Sequence, residues 1–292
     1  MFADGSLRAT GRGRRGTDLT VYALCVVAGA VALLPLGLVL YYLVVEGLGA
    51  WSPNFLISPP GGITSTNSGA LNAIIGTLEM TGLALVIAVP LGLAVALYVV
   101  EYRDSRGAVY VRTAVDLLAG IPSIVIGLFV YSLVVVTVMG HYSGIAGAIA
   151  LSMIMLPIIA RTSEEMFKIV PRSLREGTMA LAIPRWRAIG SVYIPTVAAG
   201  IMTGIVLAVS RAVGETAPLL FTALGSNFVV TDLTRPMSAL PLYMFQNAQN
   251  IGFPAARQRA WAAALTLVVI VLLFNILGRW LARRTLASGA RP

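Results

Sequence analysis

Residues 195–224 read PTVAAGIMTGIVLAVSRAVGETAPLLFTAL, a stretch in which the only charges are Arg211 and Glu215. A run this long and apolar exceeds the roughly 20 residues that carry a helix across a bilayer. Counted from Pro195, Arg211 lies about 24 Å along a continuous helix, well inside the hydrocarbon. An arginine there costs about 2.5–3.5 kcal/mol, which calls for a partner or a polar path. Glu215 stands four residues later, on the same helix face and within salt-bridge reach. The rest of the chain agrees: 58% of its 292 residues are hydrophobic and 11% are charged, against about 25% charged in soluble domains. The sequence therefore predicts an all-α membrane domain with an ion pair inside it.

Further apolar runs lie near residues 20–45, 70–100, 109–139, 144–163 and 260–282, so six transmembrane helices are expected. Pro90 and Pro122 fall inside two of them and read as kinks that neighbouring helices tolerate. Seventeen of the 21 lysines and arginines fall on one side of this arrangement and three on the other, which predicts both termini in the cytoplasm. Residues 1–17 and 286–292 read as cytoplasmic tails, the first disordered and without a cleavable signal, and residues 18–285 as the membrane domain. Because the positive charge sits at helix ends, it implies a lipid bilayer and no nucleic acid. Trp51, Trp261 and Trp280 fall where helices meet headgroups. Cys25, the only cysteine, reads as a small buried hydrophobe, and His141 as a solvated turn residue.

The segment at about 164–194 is too long for a simple turn. Ser173 and Glu176 stand at capping-box spacing, so a helix is expected from Ser173 to about Ile183. Pro184 disfavours helix at the residue before it, and a second short helix carries Arg185-Trp186-Arg187 on to Pro195. The product is a cytoplasmic knob, small along Gly177 and Ala180 and basic at its ends. It suits insertion into a partner's groove; an amphipathic hairpin on the inner leaflet would also explain the arginines. The outer segment at about 225–259, with Asn227, Asp232, Thr234 and Gln246, is short enough only to touch an external partner.

Among the remaining intramembrane charges, Arg112 precedes Asp116 by four residues and reads as its partner, while Glu79 has none nearby. The Arg211–Glu215 pair either locks its helix or serves an anion. A guanidinium stays charged when buried and offers planar paired donors to an oxyanion, so a passing phosphate could replace Glu215 against Arg211. No P-loop is present: Lys168, the only lysine, is flanked by Phe167 and Ile169. No catalytic triad or metal cluster is visible. The chain is expected to be a transport subunit and not an enzyme, with no cofactor of its own.

Glu176-Gly177-Thr178, with Ile189 and Ile194-Pro195, resembles the EAA loop by which permeases of binding-protein-dependent ABC importers dock their ATPases. Gly177, Thr178 and Ala182 depart from that motif, the last replacing its glycine. Gly76-Thr77-Leu78, Gly120 to Leu128 and Arg211 to Leu224 are similar to the PstA-type permeases of phosphate importers. This resemblance implies the type I (MetI-like) fold in a bacterial inner membrane. It also implies a PstC-type partner permease, a PstB-type ATPase dimer that holds ATP and Mg, and an external phosphate-binding protein. It assigns Arg211, Glu215, Thr216 and Arg161 to the substrate pathway. Glu176, Gly177, Thr178, Ala182, Pro184, Arg185 and Trp186 go to ATPase coupling. A permease for sulfate or molybdate, or a proton-coupled secondary transporter working through Glu215, are the alternatives.

Overall fold

The computed structural model describes residues 11–62, 65 and 68–289. Residues 1–10 and 290–292 of the expected tails lie outside the described residues. The remainder of those tails is helical, since α1 spans Gly11–Ala50 and α12 spans Pro254–Gly289.

Among the described residues, five helical stretches are long and apolar enough to cross a membrane: Asp18–Ala50 within α1, Leu71–Glu101 (α3), Gly144–Ile169 (α6), Arg185–Ala212 and Pro254–Trp280 within α12. The sixth expected crossing differs from its prediction. Arg106–Gly120 (α4) and Ser123–Val130 (α5), the latter prolonged by a π-helical stretch Tyr131–Met139, meet at 104°. Pro122 is responsible: Ile121 before it takes an extended backbone (φ −71°, ψ 129°) and Pro122 becomes the cap residue of α5. Pro90, by contrast, sits inside an unbroken α3. A short α2 (Pro53–Ile57), N-capped by the Ser52 hydroxyl, follows α1.

The core is built on small residues. Ala84 and Ala88 of α3, Ala148 of α6 and Ala208 and Ala212 of α9 (Ile194–Ala212) pack with Met80, Leu151, Met155 and Ile159. A Cβ on Gly92 would lie 2.8 Å from Ile159 Cγ2, so the α3–α6 approach requires glycine there. Such close contacts drive helix association where no hydrophobic gain separates protein from lipid.

Helix α1 stands apart. It touches α12 mainly near its end, where Leu43 and Gly47 are buried and Trp51 Nε1 donates to Thr266 Oγ1 at 3.1 Å. Cys25 lies on its uncovered part and is exposed, contrary to the expectation of burial. The segment 225–259 is more deeply embedded than expected. It carries α11 (Leu240–Ala248), and Met237, Ser238, Leu240, Leu242 and Tyr243 are buried. The Gly76-Thr77-Leu78 block holds it: Thr77 Oγ1 accepts from the Leu240 amide at 2.8 Å, and a side chain at Gly76 would collide with the Ser238 carbonyl.

Candidate transport and docking sites

The apolar run quoted at the outset is not one helix. α9 ends at Ala212, and α10 (Ala217–Thr222) begins after a break whose amides bond backwards, Gly214 to the Arg211 carbonyl and Glu215 to that of Ala212, both at 3.1 Å. Gly214 and Pro218, at the second position of α10, account for it: proline's missing N–H is harmless in a first helical turn and disruptive within a helix. Arg211 therefore lies in the last turn of α9, where its charge also complements the helix dipole. Its Nε is 3.6 Å from Glu215 Oε1. The Arg211 side chain is 57% exposed and that of Glu215 17%, so the chain itself leaves the arginine largely uncovered. Thr216 is the cap residue of α10 and half-buried, but its hydroxyl makes no cap bond. Arg211 also borders a cavity of about 40 Å³ with Leu118, Ile121, Ser123 and Pro157, room enough for water. α5 holds α10 in place: a Cβ on Gly127 would lie 2.6 Å from Pro218 Cα.

Arg161 sits elsewhere, in an ionic cluster between α4 and α6. Its Nε donates to Asp116 at 2.7 Å, its Nη2 also contacts Asp116, and its Nη1 donates to Glu164 at 3.0 Å. Arg112 does not pair with Asp116 as expected. It turns to Glu164, donating from Nε at 3.1 Å and Nη2 at 2.7 Å. Lys168 Nζ adds a third cation at 2.9 Å, so Glu164, only 3% exposed, is the hub. Tertiary partners displace the local i,i+4 pair because a buried carboxylate needs several donors. Glu164 carried no sequence signal beyond being an acid near a helix end. Glu79 keeps a buried Oε2 with no hydrogen bond among the described residues.

The knob is present with altered details. α7 runs Arg172–Ala180 with Pro171 as its cap residue, so the Ser173–Glu176 capping box does not form. The helix closes in a Schellman turn: the Ile183 amide bonds the Thr178 carbonyl and the Ala182 amide that of Met179, both at 3.0 Å. Ala182, which stands where the motif this loop resembles has glycine, takes φ 51°, in the left-handed region that favours glycine. Pro184 caps α8 (Arg185–Ala188), which continues through a π-helical stretch, Ile189–Tyr193, into α9 without interruption. The second arm of the knob and the fifth crossing are thus one rod.

Two residues clamp the knob to the bundle. Thr178, predicted for the docking face, is buried, with its hydroxyl 3.0 Å from the Tyr193 hydroxyl. Arg175 donates to Glu101 at 2.9 Å and to the Phe167 carbonyl at 3.0 Å, and lies over the Tyr193 ring at 5.3 Å. Sequence reasoning missed this clamp, since Thr178 and Arg175 reach Tyr193 across 15 and 18 positions and Arg175 reaches Glu101 across 74. Glu176, Gly177, Ala182, Pro184, Arg185 and Trp186 remain exposed, together with Met179 and Leu181. The free side of the knob is thus apolar with charged edges. On the opposite end, Asp232 accepts from the Thr234 hydroxyl at 2.7 Å and its amide at 3.0 Å, which hold its carboxyl below the usual range.

Comparison with known proteins fits these features. Residues 88–287 match the model of the family described as binding-protein-dependent transport system inner membrane component. The chain is 46% identical to the phosphate transport system permease protein PstA of Yersinia pestis, over 76% of this chain and 75% of that one. Among solved structures, a bacterial alginate ABC transporter in complex with alginate-bound periplasmic protein matches with a TM-score of 0.68 and 16% identity. That match covers 96% of this chain and 99% of the other. The MetNI methionine ABC transporter, inward facing, matches with a TM-score of 0.58 and 19% identity, over 74% of this chain and 94% of that one. These two share the type I importer permease fold. The chain belongs to the binding-protein-dependent transport system inner membrane component family, and is a multi-pass inner membrane permease subunit of an ABC importer.

Proposed function

We propose that this permease imports inorganic phosphate, and that Arg211 is its anion station. The observation that carries the proposal is the position of Arg211 at the α9–α10 break, largely uncovered by its own chain and held by Glu215 at 3.6 Å. The likeness to the Yersinia phosphate permease supports the choice of oxyanion. Phosphate offers charge and paired acceptor oxygens to a guanidinium. It takes the place of Glu215 on arrival, and Glu215 recovers Arg211 as the anion leaves, which keeps binding weak enough for transport. Thr216 offers a hydroxyl beside the same break. Arg161 borders the route on the α6 side but is held by Asp116 and Glu164, so it contributes only when one of them yields.

Both termini and the knob lie in the cytoplasm, in keeping with the distribution of arginines. A homologous PstC-type permease completes the pathway, an external phosphate-binding protein delivers the anion, and a PstB-type ATPase dimer seats the exposed knob residues. Nucleotide and magnesium belong to that dimer. Its closure moves Glu176, Gly177, Met179 and Trp186, and the rod from Arg185 to Ala212 passes the motion to the break.

ATP-driven uptake of [32P]phosphate by the complete importer in proteoliposomes tests this. Arg211→Ala should reduce uptake at least tenfold with the subunits still copurifying, and excess sulfate should compete poorly with phosphate. Normal uptake by Arg211→Ala would remove Arg211 from the pathway. Equal competition by sulfate would make the substrate oxyanions in general.

A further inference from the structure

Beneath the knob, the end of α3, the first half of α4, the foot of α6 and the start of α7 line a cavity of about 860 Å³ that opens to solvent. Five cations line it, Arg103, Arg112, Lys168, Arg172 and Arg175, against the carboxylates of Glu101 and Asp104. Three of the cations are already engaged: Arg175 with Glu101, and Arg112 and Lys168 with Glu164. The other two are not. Arg103 has only its neighbour Asp104 at 3.5 Å, with both side chains mostly in solvent, a contact of little strength. Arg172 has neither an ion pair nor a hydrogen-bond partner among the described residues. The cavity therefore keeps unbalanced positive charge after its own carboxylates are used.

An independent feature points to the same kind of ligand. α7 begins at Arg172 with no side-chain cap, and Val170 and Arg172, on either side of Pro171, both line the cavity. The Pro171 carbonyl takes the amides of Leu174 and Arg175, which leaves those of Arg172 and Ser173 as the open donors of the helix. A helix start with free amides and positive dipole favours an anion. Here it opens beside two arginines without strong partners.

We propose that this cavity is a binding site for a phosphate group, supplied by inorganic phosphate on the knob side or by the headgroup of an anionic lipid. The group's oxygens take the α7 amides and Arg172 from the knob, and Arg103 from the α3–α4 turn. Occupancy therefore ties the knob to the bundle and sets how freely the docking helix follows the ATPase. The site shares no residue with the break at Arg211, and its existence does not depend on which anion is transported.

The test uses the complete importer without binding protein, in nanodiscs of phosphatidylcholine, on an Arg211→Ala background that removes the pathway site. Equilibrium binding of [32P]phosphate should persist there. It should weaken at least tenfold when Arg103→Gln and Arg172→Gln are added, and return with Arg103→Lys and Arg172→Lys. If lipid is the source, phosphate binding is absent in this arm. Phosphatidylglycerol, added to the bilayer, is then retained by the parent complex through detergent extraction and lost from the glutamine variant. Binding of both probes unchanged by the glutamine pair would overturn the proposal. Failure of phosphate import is read separately, in the uptake assay with Arg211 intact.

Discussion

Glu164→Gln isolates the hub of the α4–α6 cluster, because glutamine keeps the shape and removes the charge. The carboxylate is 3% exposed and meets Arg112 at 2.7 Å, Arg161 at 3.0 Å and Lys168 at 2.9 Å. Its loss is unevenly felt: Arg161 keeps Asp116 and Lys168 keeps Glu165, but Arg112 is left without an anion among the described residues. Hydrogen bonds to charged groups contribute about 1.5–3 kcal/mol each, and Arg112 supplies two of them. The Arg112 side chain is 34% exposed, so water softens its loss. The expected destabilisation is about 3 kcal/mol, at the low end for a buried pair broken on one side. At roughly 2–4 °C per kcal/mol for chains approaching this size, the melting temperature should fall by about 6–12 °C. Tryptophan fluorescence of the purified complex in detergent reads it. Lys168→Gln, at a half-exposed residue, should move the transition far less, and Arg112→Gln added to Glu164→Gln should restore part of the loss. A Glu164→Gln protein that melts with the wild type, or no lower than Lys168→Gln, would refute the hub.

Ala182→Gly should stabilise the knob by about 0.5–1 kcal/mol, because glycine enters the left-handed region without alanine's steric penalty; slower amide exchange at Thr178–Ile183 measures it. Tyr193→Phe removes one of the two partners of the buried Thr178 hydroxyl, which keeps its bond to the Arg175 carbonyl at 2.8 Å; it costs about 1 kcal/mol and should speed exchange across Arg172–Ala180 while leaving α3 unchanged. Gly127→Ala drives a methyl into Pro218. It should shift α10 and lower transport at least tenfold without loss of subunit assembly, as uptake and copurification together report.

Much of the fold was legible because hydropathy and helix length reflect the bilayer directly. The spans at α3 and α6 follow from their apolar runs, and the knob from Pro184 and the excess length between two crossings. Breaks inside apolar sequence were not legible in the same way. Val213 to Thr222 stays hydrophobic whether or not the helix continues, and Gly214 with Pro218 carried the only signal. At Pro122 a kink and a 104° corner have the same composition. The site divides along a similar line. Arg211 and Glu215 are four residues apart, and the sequence placed them together. Arg112 and Asp116 stand on α4 and Arg161 and Glu164 on α6, so the Arg112–Glu164 and Arg161–Asp116 pairs depend on how α4 packs on α6. The capping box failed at Ser173 because Pro171, two residues earlier, already fixes the backbone that starts the helix.

The π-helical stretch Ile189–Tyr193 has a consequence for insertions and deletions. A π turn holds one more residue than an α turn, so it stores slack in an otherwise regular rod. Removing one residue from Ile189–Tyr193 lets the rest close as an ordinary α turn, and the two flanks keep their mutual phase. The same deletion within Ile194–Ala212 has no slack to consume and swings everything beyond it by about 100°. Arg211 and Glu215 would then turn together, carrying the guanidinium away from the cavity it borders with Leu118, Ile121, Ser123 and Pro157.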